Sequence, residues 1–375
     1  MKSVIQVLPA LNQGGVERGT IEIATALQKA GIPNYVISSG GKMVPELTKT
    51  GVKHITLPVA TKNPLKMWFN AQKMKRIFKE KNAGLIHVRS RAPAWSVKWA
   101  CAKTKIPYIA TYHGRYGTKP VIKKLYNRVM LQGEKVIAVS NFIKEHLINE
   151  YQVPKEKIVV IPRGADIKLF DPEKITQDKI QSFLIEHDIP LDKPIISLVG
   201  RLSRVKGQSI LLEAIKQMKH QEITVLLIGG NPKGDYDKEL QEKLTQLPDE
   251  TTVKIFAVSG KEMPLVYAAS DIFVQPSLIP ESFGRSIVEA QVMKRIVVAS
   301  AHGGACELIK DGKTGFLTPV ADISALAKTL DKVLGMSASD RKRIESRAYS
   351  HACTHFTTQK MCDSTLALYR GFLKN

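Results

Sequence analysis

Short apolar runs alternate with amphipathic segments along the chain, and the alternation occurs twice. The runs are rich in β-branched residues and have the length of buried parallel strands. The segments between them have helical periodicity; one of them, IEIATALQKAG, ends at Gly31. Strands that alternate with helices predict βαβ units and a parallel sheet. The predicted strands are SVIQVL, NYVIS, GLIHV, YIATY, KVIAV and IVVIP in the first half and PIISLVG, ITVLLIGG, TVKIFAV, DIFVQP and IVVAS in the second.

The pattern divides the chain into two α/β domains. A charged, proline-containing stretch, DPEKITQDKIQSFLIEHDIPLDKP, interrupts it and predicts a linker over 171–192 between domains 1–170 and 193–355. Three helical segments without intervening strands follow, within 323–334, 339–353 and 358–373. We expect the last of them, in about 356–375, to pack back on the first domain. Two such domains predict ligand binding at the carboxyl ends of the strands, in a cleft.

The composition restricts the class of protein. Of 375 residues, 43% are hydrophobic and 24% are charged, which is typical of a folded globular chain. The apolar run in MKSVIQVLPALNQGG is broken by Gln6 and is too short for a signal-peptide core, and no stretch approaches the roughly 20 residues of a membrane span. The four cysteines form no CxxC pair, which argues against a disulfide framework or zinc finger. We therefore expect a cytoplasmic location.

The positive charge is concentrated in the first half. Residues 1–170 contain 29 Lys and Arg against 9 Asp and Glu. Within them, residues 62–128 contain 17 Lys and Arg and a single acidic residue, Glu80. The same segment contains all three tryptophans. Basic residues beside aromatic ones suit an anionic membrane surface or a nucleic acid. The alternative is a solvated basic face with the tryptophans in the core. The helix in PLKMWFNAQKMKRIFKEKN is the leading candidate for a membrane-facing surface.

Three loops carry candidate chemistry. Gly14 and Gly15 follow the first strand and could bring backbone N–H groups close to an anion. Arg201 and Lys206, in GRLSRVKGQ, follow the first strand of the second domain, where cations could hold a diphosphate. In the third loop, Glu281 precedes a helix that carries Glu289, so one carboxylate could accept hydrogen bonds from a sugar and the other from a ribose.

These motifs together resemble glycosyltransferase family 4, retaining enzymes of the GT-B fold. The resemblance is carried by GRLSRVKG and ESFGRSIVE and extends over most of the chain. It therefore implies two Rossmann-like parallel-sheet domains. The supporting segments are GGVE, TYHG, AVSNF, IPRGAD, YAASDIFVQPS and AHGGACELI.

The resemblance also implies roles for particular residues. Glu281 should bind the hydroxyls of the donor sugar, and His113 should lie near the reacting sugar; these two are the predicted catalytic residues. Glu289 should hold the ribose, and Gly15 should approach the diphosphate from the other domain. The remaining predicted donor-binding residues are Arg201 and Lys206 at the diphosphate, the backbone of Phe283 and Gly284 beside Glu281, and the N–H groups of Arg285 and Ser286 at phosphate.

The chain departs from the family pattern at three positions. It has Arg163 where asparagine is usual, and Lys294 and Ile296 where Gly and Pro are frequent. Arg163 could alter the charge of the cleft, but none of the three removes a predicted donor contact. HACTH (351–355) places two histidines at helical spacing, but without an evident third ligand, and we predict no metal site.

A narrower resemblance concerns the acceptor. TYHGRYG and HVRSRAPAW are similar to segments of bacterial lipopolysaccharide-core glycosyltransferases. This resemblance implies hexose transfer from a UDP- or GDP-linked donor, such as GDP-mannose, to a lipid-linked saccharide. The enzyme would need no metal cofactor and would lie on the cytoplasmic face of the inner membrane, with its basic domain on the anionic surface.

Two alternatives remain open from the sequence. A sugar-nucleotide epimerase can share the double α/β architecture and would convert the donor without an acceptor. A nucleic-acid-binding protein would explain the basic half, but the two carboxylates Glu281 and Glu289 argue against a phosphate backbone as ligand. We therefore expect no nucleic-acid partner.

Overall fold

The computed structural model describes residues 1–12, 14–117, 121–230 and 234–374. The chain forms two compact units, one of Met1–Arg163 with Thr358–Asn375 and the other of Gly164–Thr357. The strands are β1 (Ser3–Val7), β2 (Asn34–Ser38), β3 (Lys53–Thr56), β4 (Ala83–Val88), β5 (Tyr108–Tyr112), β6 (Val136–Ala138), β7 (Ile158–Val160), β8 (Ile195–Val199), β9 (Thr224–Ile228), β10 (Thr252–Phe256), β11 (Ile272–Gln275), β12 (Ile296–Ser300) and β13 (Phe316–Thr318).

Helices connect these strands and follow the last of them. They are α1 (Gly15–Lys29), α2 (Val44–Lys49), α3 (Pro64–Glu80), α4 (Arg91–Thr104), α5 (Val121–Arg128), α6 (Asn141–Tyr151), α7 (Gln177–Glu186), α8 (Gln208–Gln217), α9 (Asp235–Leu244), α10 (Met263–Ala269), α11 (Arg285–Val292), α12 (Ala305–Leu308), α13 (Ile323–Leu334), α14 (Ala338–His355) and α15 (Thr358–Leu373).

Each unit contains one parallel sheet. The first sheet has seven strands in the order β3-β2-β1-β4-β5-β6-β7, and the second has six in the order β10-β9-β8-β11-β12-β13. Every residue of β1, β4 and β5 is buried, as expected for central strands that helices cover on both faces. The predicted architecture of two Rossmann-like parallel-sheet domains is thus confirmed.

Two strands have no counterpart among the predicted runs. β3, with the sequence KHIT, lies at one edge of the first sheet and is exposed at both ends, and the three-residue β13 lies at an edge of the second. Edge strands pair on one side only, so a long apolar run is not needed to form them. Neither therefore had a hydrophobic signal strong enough to predict it.

The stretch predicted as a linker is folded into the second unit. Its helix α7 places Phe183 and Leu184 in a core cluster with Leu226 and Val266, which belong to β9 and α10. The charged residues of this stretch are largely on its exposed face, while the two apolar residues are buried. The structure therefore differs from a free linker over 171–192, because the high charge obscured the buried face of a short helix.

The C-terminal helix α15 belongs to the core of the first unit. Its buried face includes Leu366 and Tyr369, which pack in a cluster with Val4 and Leu85 of the central strands. The Tyr369 hydroxyl and Nδ1 of His87 form a buried hydrogen bond. Residues at opposite ends of the chain thus complete one hydrophobic core.

The tryptophans do not share one environment. Trp68 on α3 is 51% exposed, whereas Trp95 and Trp99 on α4 are half-buried and their rings contact each other. The core alternative therefore does not apply to Trp68. No helix within the described ranges is both long and apolar enough to cross a membrane.

Candidate functional site

Eight of the ten predicted site residues lie at one edge of the second sheet. Strands β8, β11 and β12 are neighbours in this sheet, and the loops that follow them leave from its carboxyl edge. The first loop carries Arg201 and Lys206, the second carries Glu281, and the third begins at Ala301. The parallel order therefore brings together side chains that are far apart in sequence.

Lys206 and Glu281 form an ion pair at this edge. Nζ of Lys206 lies 2.6 Å from Oε1 of Glu281, and the Ser277 hydroxyl donates to the same oxygen over 2.9 Å. Both charged side chains are about one-fifth exposed, so a ligand can still reach them. Arg201 is exposed, and its guanidinium makes no hydrogen bond or ion pair with the residues that the structure describes.

The loop containing Lys206 approaches the β11 loop very closely. Gly207 has φ +78°, and a Cβ on it would overlap the carbonyl oxygen of Pro276. Glycine is favoured here both by its conformation and by the lack of space. The approach places Lys206 against the loop that contains Ser277 and Glu281.

Helix α11 begins directly after this loop. Gly284 precedes it with φ +102° and provides no side-chain cap, so the N-terminus of the helix, with its partial positive charge, directly follows the Glu281 loop. The Ser286 hydroxyl donates to Oε1 of Gln275 over 2.7 Å, which fixes that side chain on the end of β11. Phe283 is buried, and its ring contacts Phe356.

Glu289 is held by two partners one helical turn into α11. Nε of Arg285 donates to one carboxylate oxygen over 2.9 Å, and the Tyr267 hydroxyl donates to the other over 3.0 Å. Burial raises the pKa of Tyr267 well above its ordinary value, so the phenol remains a donor. The carboxylate is therefore oriented before any ligand arrives.

The loop that follows β12 supports the backbone of Glu281. The N–H of Gly304 donates to the Glu281 carbonyl over 2.8 Å. A Cβ on Gly304 would overlap the carbonyl of Phe283, so the two loops are in backbone contact. His302 lies beside this contact, and its buried Nε2 has no partner among the described residues. Burial lowers the pKa of His302 below its ordinary value, and a backbone hydrogen bond with Ser277 and the charge of Glu281 oppose this shift without cancelling it.

The other two predicted residues, Gly15 and His113, belong to the first unit. Gly15 begins α1, and Arg163 donates from Nη2 to its carbonyl. A Cβ on Gly19, one turn along the helix, would overlap the Arg163 guanidinium. Arg163, which replaces the usual asparagine, is thus packed over the start of α1.

His113 directly follows β5 and is surrounded by cations. Burial, followed by the positive charges of Arg163 and Arg89, lowers its pKa well below the ordinary value. The imidazole is therefore uncharged at neutral pH. Its Nε2 is buried without a partner among the described residues, so it can still donate or accept one hydrogen bond.

Sequence reasoning missed several residues that the structure places at these positions. Arg89 is 1% exposed, its Nη1 donates to Gln6 over 3.0 Å, and no ion pair joins it within the described residues. It follows a predicted strand, as a ligand-binding residue would, but its burial could not be predicted locally. Ser277, Tyr267 and His302 lay within the motifs that carried the resemblance, although no role was assigned to them.

Lys294 stands where glycine is frequent in the family, at a position with a left-handed backbone. This residue has φ +57°, a conformation that glycine adopts more readily, and its Nζ lies 2.6 Å from Glu173.

Among the described residues, no group of three or more His, Cys, Asp or Glu side chains has the arrangement of a metal site.

Comparison with known proteins agrees with this geometry. The family model of Glycosyltransferase Family 4 matches residues 13–169, and that of Glycosyl transferases group 1 matches residues 180–351. A glycosyltransferase from Rickettsia africae ESF-5 is 37% identical, and the match covers 100% of this chain and 99% of that chain at a TM-score of 0.92.

Two further proteins are more distant. Spore coat protein SA of Bacillus subtilis (strain 168) is 26% identical over 302 residues, 78% of this chain and 79% of that protein. Anabaena Alr3699/HepE, whose structure is in complex with UDP-glucose, has a TM-score of 0.85 at 23% identity, with coverage of 99% and 100%. At that identity the similarity concerns the fold.

The two parallel-sheet units and the similarity to the Rickettsia africae protein define a GT-B glycosyltransferase. The chain belongs to glycosyltransferase family 4 and the group 1 glycosyl transferases, and it is an enzyme of the transferase class. Family membership favours this class over the epimerase and nucleic-acid-binding alternatives.

The backbone contact at Gly304 leads to a testable prediction. Gly304→Ala should lower the free energy of unfolding by about 1–3 kcal/mol, because the added methyl overlaps the Phe283 carbonyl while φ of −62° suits alanine. The displaced Glu281 loop should also weaken nucleotide binding. Urea unfolding and UDP or GDP titration measure the two effects.

Gly260→Ala is the matched control for this prediction. A Cβ on Gly260, in the same unit, meets nothing within 4 Å. This variant should therefore keep the wild-type stability and nucleotide affinity. Equal effects of the two substitutions would show that the Gly304 contact does not support the site.

Proposed function

We propose that this glycosyltransferase transfers a hexose from a UDP- or GDP-linked sugar to a membrane-anchored glycan, with retention of configuration. The observation that carries the donor assignment is the convergence of Lys206, Glu281 and the start of α11 at one sheet edge. Cations and helix N–H groups suit a diphosphate, whereas a carboxylate suits sugar hydroxyls. The UDP-glucose complex of the Anabaena protein supports a UDP-sugar as one candidate donor.

Donor binding would exchange partners within the site. Lys206 is paired with Glu281. A diphosphate would compete for Lys206, with Arg201 as a second cation, and so leave the Glu281 carboxylate available to sugar hydroxyls. Glu289, held by Arg285 and Tyr267, would accept hydrogen bonds from the two ribose hydroxyls.

The chemistry would proceed on one face of the sugar. The bond from the anomeric carbon to the diphosphate oxygen breaks, the acceptor hydroxyl oxygen forms the new bond from the same side, and its proton passes to the departing diphosphate. The protein positions the reactants and stabilises the developing negative charge. His113, uncharged at neutral pH, would hydrogen-bond to the transferred sugar.

We propose that no metal ion takes part. Lys206, Arg201 and the N-terminus of α11 would supply the positive charge at the leaving diphosphate. This interpretation rests on the positions of the cations at the sheet edge.

The acceptor assignment rests on the surface of the first unit. Helix α3 exposes Leu65, Trp68 and Phe69 by 70%, 51% and 58%. The same helix exposes four cations, Lys66, Lys73, Arg76 and Lys79. Its buried residues include Met67, Met74 and Phe78. Exposed aromatic and aliphatic side chains among lysines are typical of helices that lie on anionic membranes.

Helix α5 provides a second surface of the same kind. Val121, Ile122 and Leu125 are exposed by 70%, 76% and 56%, beside Lys123 and Lys124. These surfaces support docking on the cytoplasmic face of the inner membrane, where a lipid-linked saccharide would be the acceptor. Lipopolysaccharide core or another cell-envelope glycan is the proposed product.

The donor assignment predicts separable effects of two substitutions. Glu281→Gln should lower turnover by about 10²–10³-fold, because it removes charge that orients the reacting sugar, while nucleotide affinity changes little. Lys206→Ala should weaken UDP or GDP binding by about tenfold, because a charge-assisted contact to phosphate is lost. Nucleotide release from UDP-glucose and GDP-mannose, assayed with membrane-extracted lipid-linked saccharides, measures turnover.

Glu222→Gln is the control for charge removal, because Glu222 is exposed in the same unit and makes no hydrogen bond or ion pair within the described residues. It should retain wild-type turnover. A Glu281→Gln enzyme with near wild-type turnover would refute the role given to Glu281.

Metal independence has a direct test. Transfer should continue at the wild-type rate in excess EDTA, because the cations at the diphosphate are protein side chains. Loss of activity in EDTA that is restored by Mn²⁺ or Mg²⁺ would contradict the proposal.

The membrane assignment predicts a charge-reversal effect that depends on position. Replacing Lys73, Arg76 and Lys79 with glutamate should abolish co-sedimentation with phosphatidylglycerol vesicles, since each cation contributes about 1 kcal/mol near an anionic surface. The same change at Lys219, Lys238 and Lys261, exposed in the second unit, should have little effect. Equal losses in both variants would point to net charge alone.

A further inference from the structure

A basic cavity in the second unit is lined by residues other than those assigned to the donor. It has a volume of about 520 Å³ and is formed between the turn 310–314 and helix α14. Its lining includes the cations Lys310, Lys313 and Arg347 and, among the described residues, no carboxylate. None of Arg201, Lys206, Glu281 or Glu289 lines it.

The turn that carries the two lysines is held in place by its own backbone. The N–H groups of Lys313 and Thr314 donate to the Lys310 carbonyl over 2.9 Å each, and the Lys310 N–H donates to the Thr314 hydroxyl. Gln291, fully buried, donates to the Thr314 carbonyl over 3.2 Å. The two lysines therefore project from a fixed support.

The opposite wall is one face of α14. Ser346 and Ser350 are one helical turn apart, as are Arg347 and His351, so all four lie on the same side. Ile344, Ala348 and Ala352 bury the other side of the helix. Nε2 of His351 is buried and has no partner among the described residues.

The charges of this cavity are uncompensated within the described residues. Lys310, Lys313 and Arg347 form no ion pair there, although other surface cations of the unit, such as Lys216 and Lys243, are paired with Glu213. Three neighbouring cations repel one another, and an anion in the cavity would relieve that repulsion. The hydroxyls of Ser346 and Ser350 add neutral donors.

We propose that this cavity binds a phosphate group carried by a ligand other than the sugar donor. Phosphate accepts several hydrogen bonds and carries close to two negative charges, which suits three cations and two hydroxyls. The volume lies within the range of about 300–1,000 Å³ that is typical of small-molecule sites, so a phosphorylated small molecule or a phospholipid headgroup could occupy it.

The contacts also connect the cavity with the donor loop. The His351 ring contacts Phe356 at 5.5 Å between centroids, and Phe356 contacts Phe283 at 5.8 Å. Phe283 follows Glu281 in the same loop, with Ser282 between them. These ring contacts therefore join the wall of the cavity to the loop that carries the proposed donor-binding carboxylate.

The test uses pyrophosphate as the probe, in the full chain. An Arg201→Ala/Lys206→Ala background removes the cations of the donor loop, so that the remaining binding reports on the cavity. In titration calorimetry at 150 mM KCl, this background should still bind pyrophosphate. Adding Lys310→Ala/Arg347→Ala should weaken that binding by more than about tenfold, because two charge-assisted contacts are lost.

Lys238→Ala/Lys261→Ala is the matched control, since it removes two exposed cations elsewhere in the same unit. It should change the affinity by less than about twofold, as screened surface charges do. Absence of binding in the background, or equal losses in the cavity and control variants, would overturn the proposal. Neither result depends on the donor assignment.

Vesicles distinguish the two sources of phosphate. The protein with Lys73, Arg76 and Lys79 replaced by glutamate, which lacks the proposed α3 contact with membranes, is sedimented with phosphatidic acid in phosphatidylcholine vesicles. It is compared with the same protein carrying Lys310→Ala/Arg347→Ala (the cavity variant) or Lys238→Ala/Lys261→Ala (the control variant). A loss confined to the cavity variant would identify a lipid headgroup as the ligand. Equal sedimentation of the three, together with the loss of pyrophosphate binding, would identify a soluble phosphorylated molecule.

Discussion

The parallel pairing of β8 with β11 is the constraint on which the donor site depends. These strands are neighbours although α8, β9, α9, β10 and α10 lie between them in the chain. Their starts are joined by the Asp271 carboxylate, which accepts from the Ile195 N–H over 2.8 Å, and by a hydrogen bond between Ser270 and Ser197. Because the strand order reverses direction at this pair, the loops beyond it diverge and leave room for a ligand.

The two carboxylates at this edge are held by neighbouring donors. A half-buried carboxylate without a partner would be costly, so Glu281 is paired with Lys206, and Glu289 with Arg285 and Tyr267. Ligand binding therefore competes with contacts that already exist. The net affinity reflects the difference between two sets of charge-assisted hydrogen bonds and not their sum.

The central strands and the C-terminal helices could be predicted because their signals are local. Buried parallel strands are continuous apolar runs, and amphipathic helices repeat at a fixed period. Edge strand β3 and helix α7 were not predicted, because their stability comes from packing on one side against residues distant in the chain. Propensity and charge describe such elements poorly.

The site was predictable to the extent that its residues lie in one motif. Glu281, Gly284 and Glu289 share a loop and helix, so spacing alone placed them together. Two other contacts form only in the folded chain. The Tyr267 hydroxyl donates to Glu289, and the charge of Arg89 lowers the pKa of His113. Arg163 departs from the asparagine that is usual in the family, which the sequence shows. Its position over Gly15 and Gly19 follows from the tertiary structure.

The return of α15 to the first unit has a consequence for the order of events during synthesis. The second unit is continuous in sequence, from Gly164 to Thr357, whereas the first unit needs residues that are made after the second unit. Tyr369 meets His87 across a separation of 282 residues. As the chain emerges from the ribosome, its N-terminal sheet lacks one covering helix until α15 has been made, and the apolar residues beneath that helix stay uncovered. The later-made unit can thus fold first, contrary to the usual vectorial order.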